Sequence, residues 1–272
     1  MYEQYWRLER PAFDNDFRPE FFFPARSHQG ALLKLRYLVE HRKGLGVLVG
    51  DHGLGKTYLT HVLERECQDS SVQFVRIVFP LLTPSELLRY IGLQLGAVSP
   101  GDGIDISADL VLNRLEQFLR QAAESGQRTV VIVDDAHLLN GEHLQVLQLL
   151  LNLGGGIAAL NLLLVGRSDL LPRLDRLPPL SDRVSVRATL KPLSNDEAEG
   201  YVSHRLAAAG VSTGILQPTA IRTAWELSRG VPRLFNQICD LSLLVGFADG
   251  LKFLSRIEVQ AAAEELGNVS AD

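Results

Sequence analysis

The run Gly50-Asp51-His52-Gly53-Leu54-Gly55-Lys56-Thr57 constrains this chain more than any other stretch. An apolar, strand-like segment (Val47, Leu48, Val49) precedes it, and an amphipathic, helix-like one (Tyr58 to Cys67) follows. Strand, G-x-x-x-x-G-K-T and helix in that order form the pattern of a phosphate-binding loop. Its glycines let successive backbone N–H groups turn toward one anion. The helix adds free amides and the positive end of its dipole. Lys56 is expected to reach the β- and γ-phosphates of ATP, and the Thr57 hydroxyl to ligate Mg²⁺. The segment from Gly50 through Tyr58 is therefore the candidate cofactor-binding run. The bland alternative is a glycine-rich turn with an incidental lysine, which the surrounding strand and helix argue against.

The 272 residues suffice for one large or two small domains, and a hydrophobic fraction of 46% supplies a sizeable core. A net charge of −5 excludes a global basic field for nucleic acid but leaves room for a local basic patch. Cys67 and Cys239 lack metal spacing and lie in apolar helical patterns, as buried free thiols do. No apolar stretch reaches the roughly 18 residues that span a bilayer. The expectation is a cytoplasmic protein without direct membrane insertion.

Residues 1–27 are rich in aromatics (Tyr2, Tyr5, Trp6, Phe13, Phe17, Phe21 to Phe23), so the spacing predicts an ordered arm whose rings are buried. Apolar runs at Gly46–Val49, Val72–Val78, Thr129–Val133, Asn161–Val165 and Arg183–Ala188 read as five strands. Helical segments near 55–67, 83–96, 108–125 and 141–152 separate the first four. Thr83-Pro84-Ser85-Glu86 is a capping box with proline at the first helical position. Strands alternating with helices imply a parallel sheet covered on both faces. After Lys191-Pro192 only helical segments follow, two of them opened by the capping boxes Ser194-x-x-Glu197 and Ser255-x-x-Glu258. The expected fold is α/β: a three-layer P-loop NTPase with a five-stranded parallel sheet over residues 28–191. A small all-helical domain over 192–272 follows it, and the arm spans 1–27.

A phosphate loop alone leaves kinases, small GTPases and motor ATPases open. Val130-Val131-Ile132-Val133-Asp134-Asp135 narrows the choice, because an apolar strand ends in two carboxylates. Asp134 is expected to hold Mg²⁺, directly or through water, and Asp135 to orient or deprotonate the attacking water. His137 is a lesser candidate, read as a polar loop residue. Arg183 opens the fifth strand and Arg233 stands in Gly230-Val231-Pro232-Arg233. An arginine at the γ-phosphate stabilises transition-state charge, but spacing alone leaves each of these as a site residue or a surface ion pair. A P-loop kinase would need an acceptor-binding insertion between strands, and none is visible.

Taken together, these residues resemble the AAA+ ATPases, and more specifically the ExeA/GspA-like (general secretion pathway protein A) ATPases, which are similar to transposition-regulator ATPases. The resemblance covers nearly the whole chain. It rests on Met1-Tyr2-Glu3-Gln4-Tyr5-Trp6, on Phe22-Phe23-Pro24-Ala25-Arg26-Ser27-His28, on Leu164-Val165-Gly166-Arg167-Ser168-Asp169-Leu170, and on Leu190-Lys191-Pro192-Leu193-Ser194-Asn195-Asp196-Glu197. It implies that Asp135 is the catalytic carboxylate and Arg183 a finger reaching a neighbour's site. Arg167 would be a polar sensor beside the fourth strand, and Pro232 and Arg233 the sensor of a helical lid. A finger supplied in trans implies a ring or helical homo-oligomer acting on an unidentified protein complex, with duplex DNA as a further partner to test.

The chain departs from that family where a glutamate is usual: Asp135 is one methylene shorter. The carboxylate is drawn back by about 1.5 Å, and misplacement of that order costs about 100-fold in rate, so slow hydrolysis is expected. Phe79-Pro80 stands for the usual Asn-Pro, and Arg167 for the usual sensor Gln. Secretion members usually continue into a membrane span and a peptidoglycan-binding region, which this sequence lacks, so coupling to the cell wall is not expected. Three readings stay open: an ATPase that assembles or remodels a larger complex, a nucleotide-gated scaffold with weak hydrolysis, and a DNA-dependent regulator of transposition.

Overall fold

The computed structural model describes residues 1–68, 71–78, 82–102, 106–153, 159–212 and 214–269. The Phe79-Pro80 substitution lies outside them. Among the described residues no helix is long and apolar enough to cross a membrane.

The five strands are β1 Leu45–Val49, β2 Val72–Ile77, β3 Arg128–Val133, β4 Leu160–Gly166 and β5 Val184–Thr189. They pair in the order β2-β3-β4-β1-β5, every pair parallel. The two central strands β1 and β4 are buried throughout, which is why their sequences are continuous apolar runs. The edge strand β5 instead alternates buried with exposed or half-buried positions. In chain order the helices are α1 Tyr2–Tyr5, α2 Arg26–Glu40, α3 Lys56–Glu66, α4 Pro84–Leu95, α5 Ala108–Glu124, α6 Gly141–Leu150, α7 Leu170–Asp175, α8 Pro178–Ser181, α9 Asn195–Ala208, α10 Pro218–Ser228, α11 Pro232–Ala248 and α12 Arg256–Val269.

Internal contacts divide the chain into two compact units. One is the sheet unit, Ser27–Asp51 with Lys56–Leu190. Its core packs Leu45, Val47, Ile77, Val131, Val133 and Leu162 of the sheet with Leu87, Leu115 and Leu147 of α4, α5 and α6. The α4 start forms as its sequence requires: the Glu86 carboxylate accepts from the Thr83 amide at 2.8 Å while the Thr83 hydroxyl accepts from the Glu86 amide. Gly96 in a left-handed conformation ends that helix.

The other unit is helical and comprises Met1–Arg26, His52–Gly55 and Lys191–Asp272. The Ser194–Glu197 capping box is closed, and at the start of α12 the Glu258 carboxylate accepts from the Ser255 amide while the Ser255 hydroxyl accepts from the Ile257 amide. The N-terminal arm packs into this unit's core. Trp6, Phe13 and Phe21 are buried there, and Trp6 Nε1 donates to the Leu243 carbonyl at 2.9 Å. The expectation that all the arm's rings are buried fails at Phe17, which is 54% exposed, and at Tyr5, whose hydroxyl instead donates to the Leu251 carbonyl.

A buried arginine holds the arm. Arg205 Nε donates to the Ala12 carbonyl at 2.7 Å, a terminal nitrogen donates to the Asp14 carbonyl, and the guanidinium lies 4.7 Å from the Phe21 ring centroid. Arg205→Ala should leave both carbonyls without that donor and open a cavity, at a cost of about 3 kcal/mol. A thermal melt should show the loss, and the buried Trp6 should report it as a red-shifted emission.

Candidate active site

β1 ends at Val49 and α3 begins at Lys56, so the phosphate-loop motif lies at the C-terminal end of an interior strand of the sheet. That is where open parallel sheets bind ligands. Gly53 and Gly55 adopt φ of 78° and 83°, which explains both glycines. Within the sheet unit, Lys56 Nζ donates to the carbonyls of Gly50 and Asp51, each at 2.9 Å. Burial pulls its ammonium below the ordinary lysine range, against the opposing pull of Asp134, Asp135 and Asp51.

The Thr57 hydroxyl donates to Asp134 Oδ2 at 2.7 Å. Asp134 directly follows β3 and is buried, and its Oδ1 accepts from the Asp135 amide at 3.0 Å. A hydroxyl and a carboxylate held together form a hard-oxygen donor set. It fits Mg²⁺, which takes few protein ligands and fills its shell with phosphate oxygens and water. Arg76 of β2 stands 4.0 Å from Asp134 Oδ2 and is itself held by the Thr60 hydroxyl at 2.8 Å and Glu64 at 2.6 Å. Sequence reasoning missed Arg76. The available signal was a single arginine inside the otherwise half-apolar strand Val72–Ile77.

Asp135 is left-handed, with φ 48° and ψ 34°, a region where aspartate is tolerated better than most residues. Its carboxylate is exposed, and His137 Nδ1 lies 3.8 Å from Oδ1. Arg167 follows Gly166, the last residue of β4. The Gly50 amide donates to the Gly166 carbonyl at 3.2 Å, so Arg167 adjoins the start of the loop. Lys56, Thr57, Asp134, Asp135 and Arg167 thus gather at one end of the sheet. Arg183 does not join them. Val184 pairs with Leu45 and Thr189 with Val49, so Arg183 sits beyond the opposite end of β5, about 20 Å from Thr189 along the strand. There its guanidinium donates to the Asn152 side chain.

In the helical unit, Arg233 meets the loop tip. Its amide donates to the Gly53 carbonyl at 3.2 Å and its Nη1 lies 2.9 Å from His52 Nε2. A guanidinium only donates, so Nε2 is the acceptor. A Cβ on Gly53 would fall 2.9 Å from Val231 Cγ1 and 3.0 Å from Arg233 Cβ, which excludes any other residue without a shift. Pro232 is the first residue of α11 and lacks an N–H, so the Arg233 amide is the first donor there.

Several known proteins resemble this chain. The AAA domain family matches residues 39–174. General secretion pathway protein A of Aeromonas hydrophila is 33% identical over 274 aligned positions, covering 99% of this chain and 49% of that protein. The chain therefore spans about half the length of that relative. Among solved structures, CDC6P from Pyrobaculum aerophilum superposes with a TM-score of 0.74 at 20% identity, over 93% of this chain and 70% of that one. Aeropyrum pernix ORC1, solved in complex with DNA, gives 0.71 at 17% identity, over 94% and 68%. At those identities the two structures speak to the fold alone. With the family match covering residues 39–174 and the phosphate loop on its parallel sheet, the chain belongs to the AAA domain family and is similar to general secretion pathway protein A.

Proposed function

We propose that the chain binds ATP with Mg²⁺ at the loop and hydrolyses it within a homo-oligomer that assembles or remodels a larger, secretion-type complex. The observation that carries this is the Thr57–Asp134 hydrogen bond beside Lys56, a metal-ready pair next to a phosphate cradle. Mg²⁺, when bound, neutralises charge on the β- and γ-phosphates. Lys56 and the loop amides hold the phosphates, while Thr57 and Asp134 hold the cation. Asp135 orients the attacking water and accepts its proton. The water oxygen bonds to the γ-phosphorus as the bond to the bridging oxygen of ADP breaks; the proton passes on to solvent, and ADP and phosphate leave. Arg167 and Arg233 are proposed as the nucleotide sensors.

The placement of Arg183 at the far end of its own sheet supports a role in a neighbour's site rather than its own. Turnover per subunit should then rise with protein concentration. Arg183→Ala should lower it while nucleotide binding by the dilute protein stays intact. Phosphate release and fluorescent-nucleotide titration check both. A fully active Arg183→Ala would move the finger elsewhere, with Arg173 and Arg176 next. The short Asp135 side chain favours the scaffold reading to the extent that turnover is slow. Duplex DNA added at low salt, where phosphate contacts are strongest, tests the DNA-dependent reading through its effect on assembly and turnover.

A further inference from the structure

We infer that His137 is the positioning residue for Asp135, donating from Nδ1 to hold a carboxylate that is one methylene short of the usual one. This rests on the reading of Asp135 as the catalytic carboxylate.

His137 Nδ1 is buried and has no hydrogen-bond partner among the described residues. A buried ring nitrogen left unpaired is costly, and such groups in a native fold call for a reason. An acceptor stands close by: Asp135 Oδ1 lies 3.8 Å away. An N–H···O⁻ bond forms near 2.8 Å, so a shift of about 1 Å closes it.

Both residues are held on a short, stiff segment. Asp135 caps the 3₁₀ turn Ala136–Leu138, the Leu138 amide donates to the Asp135 carbonyl at 2.9 Å, and Ala136 between them is fully buried. The ring is also confined from the other side. A Cβ on Gly166 would stand 3.0 Å from the His137 amide nitrogen and 3.4 Å from Nδ1, so this glycine lets the ring pack on the end of β4 beside Arg167. The left-handed backbone at Asp135 sets the direction of its short side chain. With only two side-chain torsions, that carboxylate needs one good donor to fix it, and His137 Nδ1 is in place to be that donor.

The test uses the full chain and separates turnover from binding. Asparagine at this position carries an amide nitrogen at the place of Nδ1, whereas glutamine carries it where Nε2 stands. The variants are therefore His137→Ala, His137→Asn and His137→Gln. His137→Ala and His137→Gln should lower kcat about tenfold or more with KM and nucleotide affinity unchanged, a loss in the range that misplacement of a catalytic group produces. His137→Asn should recover most of that loss. In an Asp135→Asn background, His137→Ala should cost nothing further, because the two act as one unit. His137→Ala turnover equal to the unmutated chain, or equal losses in both backgrounds, would overturn the inference. So would a recovery by glutamine rather than asparagine. Asp135→Asn with undiminished turnover would instead bring down the underlying reading of Asp135, and this inference with it.

Discussion

Lys56→Ala should reduce ATP affinity at least 100-fold. The ammonium is partly buried and held by two backbone carbonyls of its own loop, so it enters any complex with little ordering left to lose. With three N–H donors, the ammonium releases at least one carbonyl as it forms two charge-assisted hydrogen bonds to phosphate oxygens, worth about 1.5–3 kcal/mol each, so losing them costs about 3–4 kcal/mol or more. That is two to three decades in affinity. Arginine should not replace it, because its planar fork cannot occupy the compact position of an ammonium that meets two carbonyls at once. Titration with a fluorescent ATP analogue, beside a thermal melt, measures the change. Unchanged affinity would mean that the loop does not bind nucleotide.

Gly230→Ala should destabilise the helical unit by about 4 kcal/mol, lowering the melting temperature by roughly 10 °C. Gly230 has φ +70°, and a Cβ there would lie 2.3 Å from the Leu193 carbonyl oxygen and 2.9 Å from Trp225 Nε1. Those two atoms are hydrogen-bonded to each other at 2.7 Å, and the Leu193 amide donates to the Gly230 carbonyl. The methyl would therefore force backbone apart and break the Trp225 bond, on top of about 1–2 kcal/mol for a left-handed L-residue. Gly250→Ala is the control. It has φ +64° with nothing within 4 Å of its Cβ position, so only the conformational cost of about 1–2 kcal/mol should appear. Equal losses at the two positions would show that the close approach at Gly230 carries no weight. Because Gly230 leads into Val231, Pro232 and Arg233, the first change should also disturb the Arg233–His52 contact.

Much of the fold is legible in the residues themselves. The five strands and the helices after them stand within a few residues of where apolar runs and capping boxes put them. The Thr83–Glu86 and Ser194–Glu197 boxes close as their sequences imply, since a cap depends on atoms three residues apart. The loop's glycines are legible for the same reason: they need positive φ locally, whatever surrounds them. The arm is legible only in part. Its aromatic content calls for burial, and Trp6, Phe13 and Phe21 comply, but nothing local tells them apart from Phe17.

Local patterning is enough to specify the phosphate loop, the paired acids at the end of β3 and the parallel α/β order, because periodicity, glycine conformation and caps act over a few residues. Which distant groups meet is a matter of packing instead. Strand register sets Arg76 beside Asp134 and puts Arg183 at the far end of the sheet from its own loop. Packing against the end of β4 at Gly166 seats the His137 ring, and a buried guanidinium on α9 holds the N-terminal arm. Each of these depends on a pairing between segments that local residue preferences do not encode and that burial and hydrogen bonding across the fold select.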